Sequence, residues 1–109
     1  GFILNNQLTD FNVAPTDGAG VPIANRVQAG KRPRSSMAPT LVFDRNRRLV
    51  MVVGSPGGSV IINYVAKTIV AALDWGQDVQ SAISFPNIGS RNGPTEIEDG
   101  PSATRASPA

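Results

Sequence analysis

The sequence predicts an α+β fold in which loops outweigh regular elements, and three observations carry that expectation. Two apolar runs, Thr40–Phe43 and Arg48–Val53, flank the polar stretch Asp44-Arg45-Asn46-Arg47 as in a β-hairpin. The second run breaks at Gly54-Ser55-Pro56-Gly57-Gly58-Ser59, and a helical pattern follows at once. Between Thr9 and Pro39 the chain is dense in Gly, Pro, Asp, Asn and Ser, with neither strand nor helix periodicity.

In chain order, Phe2-Ile3-Leu4 is a short apolar run stopped by Asn5-Asn6, and it reads as the end of a buried strand. Residues 9–39 read as one long loop, a length that in compact domains is usually functional or disordered. The hairpin turn is polar but has no glycine, which leaves its type open. Its second arm is almost continuously apolar, as in a central strand covered on both faces. Ile61, Val65, Ile69 and Leu73 then recur every fourth residue, joined by Ile62, Ala66 and Ala72 on the neighbouring face, and Gly76 supplies a stop. Asp78 is placed to cap a second short helix through about Ser84, with Val79, Ala82 and Ile83 facing inward. Phe85-Pro86 ends that helix, because a residue before proline is driven out of α geometry. Asn87–Pro94 is turn-rich, and Glu96-Ile97-Glu98 reads as a brief edge strand. One domain over 1–99 and an unpacked, Pro/Ser/Ala-rich tail over 100–109 complete the expectation.

Composition narrows the chemistry. The 109 residues include no cysteine and no histidine, which excludes a thiol nucleophile, a disulfide scaffold, a Cys/His zinc site and a histidine base. No cofactor and no metal site is expected. No apolar run approaches the roughly 20 residues that span a bilayer. The first residues form no signal peptide, and the natural start is expected upstream of Gly1 because no initiator Met opens the chain. Net charge is +2, with seven basic and three acidic residues in 1–48 against three and five in 49–109. Lys31, Arg32 and Arg34, then Arg45, Arg47 and Arg48, form two basic clusters. No aromatic residue interleaves them for base stacking, so they read as solvated loop charge rather than a nucleic-acid surface.

Three groups could carry chemistry. Gly57-Gly58 ahead of a helix exposes backbone N–H groups able to hold a carboxylate, a phosphate or an acyl-transfer oxyanion. No Walker or G-x-G-x-x-G pattern fits, which disfavours phosphate. Ser35-Ser36 offers two adjacent hydroxyl donors for one carboxylate. Neither serine reads as a nucleophile, because the chain has no histidine to activate it. Gln7 and Asp10 share a face within one helical turn, and an acid with an amide oxygen suits an ammonium group. Taken singly, each group has a plainer explanation: a tight turn, simple loop polarity and an Asx-type cap.

Together and in this order, Gly1–Phe11, Gly30–Thr40 and Val53–Ser59 resemble the small subunit of gamma-glutamyltransferases (gamma-glutamyltranspeptidases) over about residues 1–98. The resemblance implies an N-terminal-nucleophile hydrolase with a four-layer αββα sandwich, of which this chain would hold the central part. In the gamma-glutamyltransferase family a precursor cleaves itself into large and small subunits. The new N-terminal Thr attacks the gamma-glutamyl amide of glutathione-like substrates, and the resulting threonyl ester passes to water or an amino acid. By position, Gln7 and Asp10 would hold the substrate α-amino group, Ser35 and Ser36 its α-carboxylate, and the N–H groups of Gly57 and Gly58 the oxyanion. All three groups would then serve one glutamyl head group.

The same resemblance places the nucleophilic Thr before Gly1 and an Arg for the carboxylate on the large subunit, so the chain alone is expected to be inactive. It also favours a periplasmic or secreted location. Thr9 stands where the family is often acidic. The family's terminal strands should follow residue 98, so open sheet edges and pairing between copies are expected. Two alternatives remain: a related acylase, cephalosporin acylase-like or poly-gamma-glutamate-processing, and a non-enzymatic ligand-binding module.

Overall fold

The structure, a computed structural model, describes residues 1–99; the expected tail over 100–109 lies outside the described residues. The described residues gather into two compact units, Gly1–Ser35 and a second that begins at Ser36. Among the described residues no helix is long and apolar enough to cross a membrane.

The first unit is built from turns. A one-turn 3-10 helix covers Gln7–Asp10. Asn5 Oδ1 accepts the Gln7 N–H at 3.2 Å, the Asx-type turn that the Asn-Asn pair suggests. The loop that follows is ordered by its own polar groups. Asp17 Oδ1 accepts the N–H groups of Ala19 and Val21, both at 2.9 Å, and the Asp17 N–H donates to the Val21 carbonyl at 2.9 Å. Isolated bridges pair Asn12 with Arg26 and Thr16 with Pro22. The strand expected at Phe2-Ile3-Leu4 does not form: these side chains are exposed, and no described strand lies beside them to take their backbone hydrogen bonds.

The second unit holds the regular elements. Strands β1 (Thr40–Phe43) and β2 (Leu49–Val53) form the expected antiparallel hairpin. Its register runs from Thr40 opposite Val53 to Phe43 opposite Leu49, with Val50 as the extra residue of a bulge. Asp44 makes the turn. Its carbonyl accepts from Arg47 N–H at 3.0 Å, and its Oδ1 accepts from Asn46 and Arg48 N–H, each at 2.8 Å. Arg47 takes the left-handed position (φ 62°) that glycine usually fills in such three-residue loops. β2 is not covered on both faces: Met51 and Val53 are half-buried, whereas Val50 and Val52 are exposed. The described chain puts no element over that second face.

Helix α1 (Ile61–Leu73) packs against β2, a second helix α2 (Val79–Ser84) and strand β3 (Ile88–Gly89). Val65 and Ala71 are its buried residues, while Ile62 and Ala66 on the neighbouring face stay exposed, as does Leu73 at the end of the predicted stripe. Gly76 (φ 66°) turns the chain so that the Gln77 N–H reaches back to the Ala71 carbonyl at 3.0 Å. Asp78 caps α2 as expected, its Oδ1 accepting from the Ser81 N–H at 3.0 Å. Only Ala82 of α2 is buried; Val79 and Ile83 are exposed, because six residues turn just one narrow face to α1. β3 pairs antiparallel with β4 (Glu96–Ile97), which supplies the partner of the expected edge strand. The packed interior is thus small, and it sits between α1, α2 and β2.

Candidate functional site

In the first unit, Gln7 and Asp10 occupy the first and last positions of the 3-10 turn. With three residues per turn, side chains at i and i+3 stand over one another, so the pair shares a face. Gln7 Nε2 donates to Ser35 Oγ at 3.0 Å, joining residues 28 apart in sequence. That bond turns the amide nitrogen toward the serine and the amide oxygen, the acceptor an ammonium needs, away from it. Two of the three groups singled out in the sequence are therefore in direct contact through these residues.

Asn25, which no sequence pattern marked, organises this corner. Its Nδ2 donates to the Asp10 carbonyl at 2.6 Å and to Asn12 Oδ1 at 3.0 Å. Its Oδ1 accepts from the Arg34 N–H at 2.9 Å, and its backbone carbonyl from the Asn12 N–H at 2.9 Å. Lys31 Nζ donates to the Ala24 carbonyl at 2.9 Å, so one charge of the first basic cluster serves the loop itself.

In the second unit, Ser36 is half-buried ahead of β1. The glycine loop leaves β2 at Val53 and enters α1 through the 3-10 turn Gly58–Val60. Both glycines take conformations that side chains disfavour, with φ 139° at Gly57 and φ 56° at Gly58. The Gly57 carbonyl accepts from the Val60 N–H at 3.1 Å, and no side chain caps α1 at Val60. Both glycines are exposed, and among the described residues neither N–H enters a loop or cap hydrogen bond. Uncommitted backbone amides at a helix entry are available to an anion. Arg91 reaches the same loop, donating to Ser59 Oγ at 3.3 Å while pairing with Glu96 at 3.4 Å.

Beside the loop, Met51, Val53, Pro56, Tyr64 and Thr68 line a cavity of about 310 Å3, with Lys67 in its wall. The Lys67 ammonium is committed to α2: Nζ donates to the carbonyls of Ala82, Ile83 and Phe85 at 2.9, 3.0 and 2.9 Å. Burial lowers its pKa, while the Glu98 charge opposes that shift. Its position at the end of a helix is that of a cap rather than a catalytic base.

Comparison with known proteins decides the lineage. The gamma-glutamyltranspeptidase family profile matches residues 1–107. The chain belongs to that family. It is 44% identical over 88 residues to the glutathione hydrolase proenzyme of Bacillus subtilis (strain 168), covering 81% of this chain and 14% of the relative. It is 41% identical over 96 residues to the glutathione hydrolase proenzyme of Escherichia coli (strain K12), covering 81% of this chain and 16% of the relative. The chain thus spans about a sixth or less of the length of these relatives. Its fold is similar to the crystal structure of a mutant Helicobacter pylori gamma-glutamyltranspeptidase, with TM-score 0.73 and 35% identity, over 97% of this chain and 61% of that one. The α+β expectation and the family resemblance both hold.

Proposed function

We propose that the whole protein is a gamma-glutamyltransferase, or glutathione hydrolase, that carries a gamma-glutamyl group from compounds such as glutathione to water or an amino acid. In this reading residues 1–99 are the central part of the small subunit within an αββα sandwich. Gln7 and Asp10 hold the substrate ammonium, and Ser35 and Ser36 donate to its α-carboxylate. The N–H groups of Gly57 and Gly58 take the charge that develops on the γ-carbonyl oxygen, the kind of preorganised donor pair that acyl transfer needs. A threonine outside these 109 residues attacks the γ-carbonyl and forms an ester as the amine leaves. Water or an amino acid then attacks the ester and restores the hydroxyl. The large subunit of the same precursor adds a guanidinium for the carboxylate.

Within a chain of this family, the observation that carries the reading is the Gln7–Ser35 hydrogen bond at 3.0 Å, which puts an amide and a hydroxyl side by side. The test uses the full-length protein and a gamma-glutamyl anilide. Wild type should turn it over and be inhibited competitively by free glutamate. Ser35→Ala should raise KM about tenfold or more, as expected for a lost hydrogen bond to a charged group. Absence of competition by glutamate would reject the assignment. The 109-residue chain alone should show no turnover. It should also self-associate through the open edges of β1 and β2, and a monomeric mass across a wide concentration range would reject that.

A further inference from the structure

Asn25 takes no part in the chemistry above, yet its amide spans the two halves of the head-group corner. One planar group binds the carbonyl of Asp10, the last residue of the ammonium-binding turn, at 2.6 Å. Its other end binds the N–H of Arg34, the residue before Ser35, at 2.9 Å. A reversed amide would set oxygen against the Asp10 carbonyl and Asn12 Oδ1, so the donor and acceptor ends are fixed. Asn25 is half-buried, and its own backbone carbonyl is tied to the Asn12 N–H. Its position is thereby anchored independently of its side chain.

We propose that Asn25 is a positioning residue that sets the distance between the ammonium-binding turn and Ser35, and thereby the selectivity for an α-amino-acid head group. The proposal rests on the functional reading given above. No other residue type meets the same demands at this length. Aspartate keeps an acceptor for Arg34 but has no donor for Asp10 or Asn12. Alanine leaves the Arg34 N–H without its partner, and glutamine is one methylene too long.

The experiment compares full-length wild type and Asn25→Asp on a gamma-glutamyl anilide, with L-glutamate and glutarate as competing inhibitors. Glutarate lacks the α-amino group and so reports on binding that does not use the turn. In Asn25→Asp the KM for the anilide and the Ki for glutamate should rise about tenfold with kcat changed less than about twofold, as for lost ground-state binding. The Ki for glutarate should stay unchanged. An unchanged ratio of the two Ki values, or a fall in kcat alone, overturns the proposal. If Asn25→Asp fails to mature, Asn12→Ala removes one acceptor of the same amide and should shift KM in the same direction by about two- to threefold; no shift overturns the proposal. Wild type that ignores gamma-glutamyl donors sinks the functional reading and this inference with it, whereas active wild type with an indifferent Asn25→Asp sinks the inference alone.

Discussion

The Tyr64 ring fills the space into which a side chain at Gly57 would project: a Cβ there would stand 2.8 Å from Tyr64 Cε2 and 3.0 Å from Cδ2. With φ 139°, Gly57 is required both by its backbone and by its neighbour. Gly58 (φ 56°) has nothing within 4 Å of the same position, so only its backbone conformation demands glycine. Gly57→Ala should therefore destabilise the full-length protein more than Gly58→Ala, whose cost is about 1–2 kcal/mol from the left-handed conformation alone. Thermal or urea melts of the two variants test the order, and equal losses would contradict the role given to Tyr64. Under the function proposed above, in which their N–H groups hold the oxyanion, both should lower kcat more than they raise KM.

Lys67 should matter for stability rather than chemistry. Replacing it with Met keeps much of the apolar stem but strips three carbonyls at the end of α2 of their donor. A loss of about 1 kcal/mol is expected, because these hydrogen bonds are part-buried or exposed and water can reach the carbonyls once the ammonium is gone. KM and kcat of the folded variant should hold near wild type, and a collapse of kcat with unchanged stability would reassign Lys67 to the reaction.

The α2 cap gives an acid-side pH dependence. Hydrogen bonds from the Ser81 side chain and backbone hold the Asp78 pKa below its ordinary value. A carboxylate depressed in the folded state stabilises fully above its unfolded pKa, about 4, and the contribution is lost as pH falls through the lower folded value. Asp78→Asn should therefore flatten stability in the acid range while changing little at neutral pH. An unaltered acid limb would remove Asp78 from the account.

Arg47 offers a gain. Its φ of 62° is one that glycine adopts without the penalty paid by other residues. Arg47→Gly should stabilise the hairpin by about 0.5–1 kcal/mol after allowing for the greater freedom of glycine in the unfolded chain. A lower melting temperature would show that the Arg47 side chain makes a contribution of its own.

What could be read from the sequence follows the range of the interactions. Helix α1 repeats its signal every four residues, the hairpin shows as two apolar runs about a polar turn, and Asp78 and Gly76 mark boundaries with local bonds, so all were legible. The turn at Gln7–Asp10 was legible for the same reason. β3 was not, because two residues carry no period; Asn87 and Glu98 close it instead, through Asn87 N–H and Nδ2 on Glu98 Oε2 at 3.0 and 2.8 Å. Asn25 gave no signal because its side-chain partners lie 9 to 15 residues away. Phe2-Ile3-Leu4, Val79 and Ile83 misled in the opposite sense: an apolar side chain states a preference for burial, and the described chain offers nothing to bury these against.

Helix α2 is far shorter than the roughly 12 residues at which a helix begins to hold itself in water. One side chain, Asp78, fastens its first turn, and another, Lys67, fastens its last. Between these fasteners, Gln80 and Ser84 bond only weakly to each other, at 3.1 Å on the exposed surface. Those two positions are the natural places to attach a spectroscopic probe or an affinity handle, since the segment would keep its shape while its outward residues are exchanged.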